Sequence, residues 1–305
     1  MAVGGGRVIR VVLILLAIVL ALPLVLESRR RQIGAAQRRG TPGKFAVLSQ
    51  GVTHYQWLGP VRGPVVVAAH GMTTPLPVWT ELAEGLGKIG YRVLVYDLYG
   101  RGLSDAPKGP QDRPFFLTQL EDFLADQGLG QDLTLIGYSL GGAIATAFAG
   151  THPERVKRLI LLAPVGMGHA EAGLARFIRQ TPWIGDWLHL ALFGPGLRRR
   201  IAVTALKPVQ LAELARQGFR AAVLASIRGI VQDRLEADHR AIGRADVPVV
   251  ALWGGKDVIV PLSGLGNLAQ WNRAARQEVI AGAGHGMPFT HAAAVMAVLK
   301  DVLRE

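Results

Sequence analysis

The sequence predicts an α/β protein with a mostly parallel central sheet and helices on both faces. Three observations predict it. Short apolar runs at 65–69, 92–96, 133–136, 158–162, 249–253 and 278–280 alternate with helix-length segments, including 79–89 and 118–127, and runs that are apolar throughout fit strands buried on both faces. The run Leu133–Ile136 ends in Gly137-Tyr138-Ser139-Leu140-Gly141 and passes at once into a small-residue helix, Ala143–Ala149. Polar motifs follow four of the other runs, at the carboxyl ends of strands, where sheets of this class bind ligands.

The chain opens on a different kind of segment. Val11–Leu26 is an uninterrupted apolar run, with Arg7 and Arg10 before it and Glu27-Ser28-Arg29-Arg30-Arg31 after it. Its length lies between a signal-peptide core and the ~20 residues of a full span. No small-x-small cleavage site follows, and an arginine triplet directly behind the run opposes export. The expectation is a retained single-pass membrane anchor over 8–28 with the main domain on the cytoplasmic side, although Arg7 and Arg10 pull the other way. Residues 29–44 are basic, aperiodic and contain Gly, Pro and Gln, which reads as a juxtamembrane linker lying on anionic head groups or simply solvated. From Phe45 to Leu58 two strand-like stretches turn near Gln50-Gly51, so the folded core is expected over 45–164 and 246–305.

Composition excludes several function classes. At 305 residues with half of them hydrophobic, the chain is a folded, enzyme-sized protein, and the lack of cysteine rules out disulfides, cysteine nucleophiles and thiolate metal sites. The net charge of +12 is unevenly placed: 1–44 holds eight Lys/Arg against one acid, 165–245 holds twelve against six, and the rest is near neutral. With no helix-turn-helix, zinc-finger or aromatic RNP pattern, no nucleic-acid partner is expected.

Gly137-Tyr138-Ser139-Leu140-Gly141 is a G-x-S-x-G nucleophile elbow in its strand–turn–helix setting. The tight turn forces a strained serine backbone, and the glycines two positions either side avoid collisions. A serine hydroxyl needs an imidazole to take its proton, and the imidazole needs a carboxylate to fix its tautomer. Asp257, in Leu252-Trp-Gly-Gly-Lys-Asp257, and His285, in Ala281-Gly-Ala-Gly-His285-Gly, each follow an apolar strand and supply those groups. Two more motifs stand before the elbow: His70-Gly71-Met72, and Asp97-Leu-Tyr-Gly-Arg-Gly-Leu-Ser104. His70 reads as a structural histidine bonded to nearby backbone, and Asp97 as the holder of its glycine-rich turn.

These motifs, in this order, resemble the α/β-hydrolase superfamily over about residues 45–305. The resemblance implies a Ser139–Asp257–His285 triad, an oxyanion hole built from the backbone N–H groups of Met72 and Leu140, and no metal or organic cofactor. Serine at 139 argues against the branches that use aspartate there, and no H-G-G-G run is present. The set looks most like small esterases, monoacylglycerol lipases and meta-cleavage-product hydrolases. In the family's cap position lies 165–245, where Phe177, Trp183, Trp187 and Phe193 mix with arginines, including Arg198-Arg199-Arg200. It is expected as a helical lid that packs on the core or turns aromatics to substrate or bilayer. The expected function is a membrane-anchored serine hydrolase of carboxylic esters, its substrate a small-molecule or lipid ester. The alternatives are C–C bond hydrolysis by the same triad, or a non-catalytic membrane-tethered module.

Overall fold

The computed structural model describes residues 3–168, 171, 173–201 and 204–304. Its strands are β1 (Lys44–Leu48), β2 (Gly51–Leu58), β3 (Val65–Ala69), β4 (Arg92–Tyr96), β5 (Leu133–Tyr138), β6 (Val156–Leu162), β7 (Val249–Gly254) and β8 (Arg276–Ile280). They form one sheet in the order β1-β2-β4-β3-β5-β6-β7-β8. The β1–β2 hairpin is antiparallel and joins β4 antiparallel, while β4 through β8 run parallel. The fold class expected from the alternation is the one observed.

The helices in chain order are α1 (Val3–Ser28), α2 (Ala35–Arg38), α3 (Thr80–Lys88), α4 (Arg113–Asp126), α5 (Leu140–Thr151), α6 (Gly173–Gln180), α7 (Ile184–Arg200), α8 (Lys207–Leu214), α9 (Phe219–Arg228), α10 (Glu236–Arg244), α11 (Ser263–Trp271), α12 (Met287–Thr290) and α13 (Ala292–Val302). Alternation along each strand divides the core into two layers. Val67 and Ala69 of β3 pack with Phe116 and Phe123 of α4 and Phe148 of α5, whereas Val66 and Ala68 pack with Leu82 of α3 and Leu299 of α13. Each Val, Leu or Phe among them, fully buried, contributes about 1.5–3 kcal/mol of hydrophobic stabilisation.

Some boundaries differ from the periodic reading. α4 starts at Arg113 rather than near Thr118, because Asp112 caps it by accepting the Phe115 N–H at 3.1 Å and Pro114 sits where a helix needs no N–H donor. α9 ends at Arg228, where Gly229 leaves the helix at φ −100° and ψ −119°; a Cβ there would stand 2.3 Å from the Gln111 carbonyl oxygen, so backbone packs on backbone. The stretch 165–245, expected as one lid, divides in two. Helices α6 to α9 form the cap, while α10 packs on α5 and α11 and buries Ile242 in the core.

The segment expected as a linker is docked. Arg31 donates its N–H to the Ala215 carbonyl at 3.1 Å and accepts from the Gln217 N–H at 2.9 Å, beside the α8–α9 turn of the cap. Arg38 bonds the Leu103 carbonyl at 2.9 Å and the Asp105 carboxylate at 2.6 Å. Basic composition marks such a stretch as solvated, but backbone pairing is blind to side chains. These four bonds, two through the Arg31 backbone and two through the Arg38 side chain, at about 1 kcal/mol each tie the segment to the folded domain. A chain lacking residues 1–44 should therefore melt several degrees below one lacking only 1–26, measured by differential scanning fluorimetry in the same detergent. Equal melting points would reduce the segment to a tether.

Candidate active site

Ser139 has φ 53° and ψ −112°, a conformation that costs a side-chain-bearing residue about 1–3 kcal/mol. The flanking glycines explain how it persists. A Cβ on Gly137 would lie 2.3 Å from the Gly141 carbonyl oxygen, and one on Gly141 would lie 2.0 Å from the Ala69 carbonyl oxygen. β3 and the start of α5 thus pack in direct backbone contact. The Ser139 N–H donates to the Leu162 carbonyl at 2.9 Å, and its own carbonyl accepts from Gly142 and Val165 at 3.0 and 3.2 Å. With the backbone so held, the hydroxyl projects beyond the sheet.

Three residues remote in sequence meet at this point. His285 Nε2 lies 2.9 Å from Ser139 Oγ, and His285 Nδ1 lies 2.8 Å from Asp257 Oδ2. A carboxylate only accepts, so Nδ1 carries a proton toward Asp257, and in the neutral ring Nε2 is then the acceptor that faces the hydroxyl. Asp257 Oδ1 accepts the N–H groups of Ile259 and Val260 at 2.8 and 2.9 Å. Burial alone would raise the pKa of Asp257, but the His285 hydrogen bond and these N–H groups together hold it below the usual carboxylate value. The Tyr138 hydroxyl donates to the His285 carbonyl at 3.0 Å, tying the elbow to the histidine loop. In such a relay the imidazole can take a hydroxyl proton while the carboxylate stabilises the resulting charge.

Leu140 opens α5, and Met72 follows β3 across the turn. Among the described residues neither backbone N–H has a protein acceptor; for Leu140 that is expected of the first N–H group of a helix, while Met72 stands in the turn after β3. The Met72 side chain packs beside Leu214, Phe219 and Val223 of the cap. Arg101 fixes the same loop from the other side: its Nε donates to the Met72 carbonyl at 3.2 Å and its Nη2 to Ser226 Oγ of α9 at 2.8 Å. Fully buried, it has its pKa pushed down to about 9 by loss of solvent, against the attraction of Glu213. Sequence reading passed over Arg101, which occupies a variable position between two motif glycines, where a surface arginine would look the same.

His70 and Asp97 occupy supporting positions. His70 Nδ1 donates to the Gly71 carbonyl at 2.7 Å and Nε2 accepts the Leu98 N–H at 2.9 Å. Burial lowers its pKa to about 4, so the ring is neutral and its 3.8 Å approach to Asp97 is no ion pair. Asp97 accepts the N–H groups of Leu76 and Leu103 at 2.8 and 3.0 Å, and a Cβ on Gly102 would collide with its carboxylate.

Asp97 also bonds His54 Nδ1 at 2.7 Å, while His54 Nε2 faces the Pro42 carbonyl at 2.9 Å. Both ring nitrogens meet acceptors, which suits an imidazolium. Burial opposes the charge, but Asp97 and Pro42 outweigh it and raise the His54 pKa above 6.5. A raised folded-state pKa contributes stability in full below the unfolded value and loses it as pH climbs through the folded value. The melting point should thus fall as pH rises above 6.5, and His54→Gln should flatten that fall. An equal slope in both proteins would deny the imidazolium.

The model of the family described as alpha/beta hydrolase fold matches residues 64–292. A putative non-heme chloroperoxidase of Synechocystis sp. is 25% identical over 276 residues, covering 82% of this chain and 94% of its own. A 2-hydroxymuconate semialdehyde hydrolase of Pseudomonas putida is 29% identical over 220 residues, covering 70% and 77%. Among solved structures, an esterase from Exiguobacterium antarcticum superposes with a TM-score of 0.70 at 20% identity, over 86% of this chain and 100% of its own. A chain whose strand order, elbow and family match agree over most of its length belongs to the α/β-hydrolase fold family.

Proposed function

We propose that this protein is a serine hydrolase of carboxylic esters, held at a membrane by α1. The observation that carries the reading is the Ser139 Oγ–His285 Nε2–Asp257 relay at 2.9 and 2.8 Å on a strained elbow. In the proposed reaction Ser139 Oγ attacks the ester carbonyl carbon while its proton passes to His285 Nε2. The carbonyl oxygen, now an oxyanion, takes the free N–H groups of Met72 and Leu140, and a single such donor is worth about 2.7–4 kcal/mol. The C–O bond then breaks, the leaving alcohol takes the proton from His285, and water activated by the same ring releases the acid from the acyl-serine. α1 supports the membrane part of the reading, since Gly6–Ser28 is long and apolar enough to cross a bilayer. Fluorophosphonate labelling of Ser139, run beside a chain-length series of nitrophenyl esters and monoacylglycerols, tests the proposal. A protein that neither labels nor turns over any ester would be a binding module.

A second reading has its own support. A relative at 29% identity is named 2-hydroxymuconate semialdehyde hydrolase, a name in keeping with the C–C alternative. Turnover of a ring-opened dienoic keto acid at a rate above that of every ester would favour it.

A further inference from the structure

The hairpin of α6 and α7 exposes large apolar side chains on the outside of the cap. Leu174 and Phe177 on α6, and Ile184 and Leu192 on α7, are exposed, and Trp183 between the helices is 88% exposed. None of the described α6 residues is buried. Isolated exposed apolar residues are ordinary, but five large ones gathered on one hairpin call for a partner or a membrane.

The neighbouring helix says which. α1 lies against α7, and Trp187 Nε1 donates to the Leu20 carbonyl at 3.1 Å. Leu20 lies inside the apolar stretch Gly6–Ser28. At ~1.5 Å of rise per residue it is about 12 Å along the axis from the end of that stretch. A helix touching α1 at that height shares the slab that α1 occupies. No flexible joint intervenes. Glu27 Oε1 accepts the Gly218 N–H at 2.9 Å, Glu27 pairs with Arg30 at 2.8 Å, the Arg30 guanidinium bonds the Leu214 carbonyl, and Arg31 pairs with the backbone of Ala215 and Gln217. α1 therefore runs straight into the cap. The exposed arginines Arg198, Arg199 and Arg200 close α7 at its far end, suited to head groups.

We propose that the α6–α7 hairpin is a monotopic membrane element, with Leu174, Phe177, Trp183 and Ile184 seated among the acyl chains of the leaflet from which α1 emerges. The cap is thus held in the bilayer beside the anchor, and a substrate dissolved in that leaflet meets the cap without crossing water. The inference rests on α1 lying in a bilayer and not on which bond the site cleaves.

The chain has no cysteine, so single cysteines report cleanly. Leu174→Cys and Trp183→Cys, with Leu16→Cys in α1 and Val61→Cys in the loop at the amino ends of the strands as references, would each carry an environment-sensitive fluorophore. The full chain is reconstituted in phosphatidylcholine vesicles containing nitroxide-labelled lipid, after circular dichroism shows each variant folded. Quenching at 174 and 183 should match that at 16, at least threefold above the value at 61. Quenching at 174 and 183 no greater than at 61, with 16 quenched, would overturn the hairpin seating alone. An unquenched label at 16 would overturn the anchor and the seating together, while ester hydrolysis by the same sample would leave the chemical reading intact.

Discussion

Ser139→Ala is expected to lose ester turnover by about a million-fold, down to background, while its melting point stays within a degree or two of the parent. The activity loss follows from geometry: the hydroxyl 2.9 Å from His285 Nε2 is the group that would form the acyl bond, the chain has no cysteine, and among the described residues no second hydroxyl bonds His285 Nε2. The preserved stability has a separate cause. The Ser139 backbone is held without its hydroxyl, by its N–H on Leu162, its carbonyl on Gly142 and Val165, and the two glycines that admit no Cβ, while the Tyr138 hydroxyl ties the neighbouring turn to the histidine loop. Alanine at φ 53° bears the same strain as serine. Kinetics with a short nitrophenyl ester and a thermal melt on one preparation check both halves. Turnover within tenfold of the parent would place the nucleophile elsewhere, and an unfolded variant would mean the hydroxyl carries structure rather than chemistry.

Legibility in the sequence followed the physics of each signal. Sheet strands were readable because burial on both faces demands uninterrupted apolar runs, as in Val65–Ala69 and Leu133–Ile136, and the structure places strands there. Ser139, Asp257 and His285 could be nominated because each stands in a loop directly behind such a run, where strand ends converge. Nothing local marks the rest. Arg101 and Glu213 are buried by tertiary packing alone, and Glu213, its pKa raised to about 7 chiefly by that burial, looks in sequence like any helical surface glutamate. Arg31 joins the cap through its backbone, a contact that leaves no trace in residue type. α10 resembles the cap helices in composition, yet Ile242 and the Arg113–Asp238 pair, bidentate at 2.7 Å, bind it to the core beside α4 and α5. Local chemistry was visible; the company a helix keeps was not.

Asp257→Asn is expected to keep the fold and to lower kcat by about 10⁴-fold, the scale on which an amide in place of a relay carboxylate acts. Asp257 makes two kinds of bond. Its Oδ1 accepts from Ile259 and Val260, and its Oδ2 accepts the His285 Nδ1 proton. An asparagine can leave its oxygen on the two backbone N–H groups, so the loop survives, but its NH₂ then points at His285 Nδ1. The ring answers by moving its proton to Nε2, where it meets Ser139 Oγ as a donor and can no longer take the hydroxyl proton. The rate of fluorophosphonate labelling should fall in parallel with kcat, because both need the serine activated, whereas KM for a short ester should hardly move. A second readout separates this from a general loss of structure. The Asp257 carboxylate has its pKa depressed below 3.8 despite burial, through His285 and the loop N–H groups. It therefore contributes stability above the unfolded pKa that is lost as pH falls through the folded value. Asparagine has no such term, so the variant's melting point should decline less steeply into acid than the parent's. A loss of kcat below tenfold would move the acid to another residue, and an acid slope identical to the parent's would mean that Asp257 is not the ionised partner of His285.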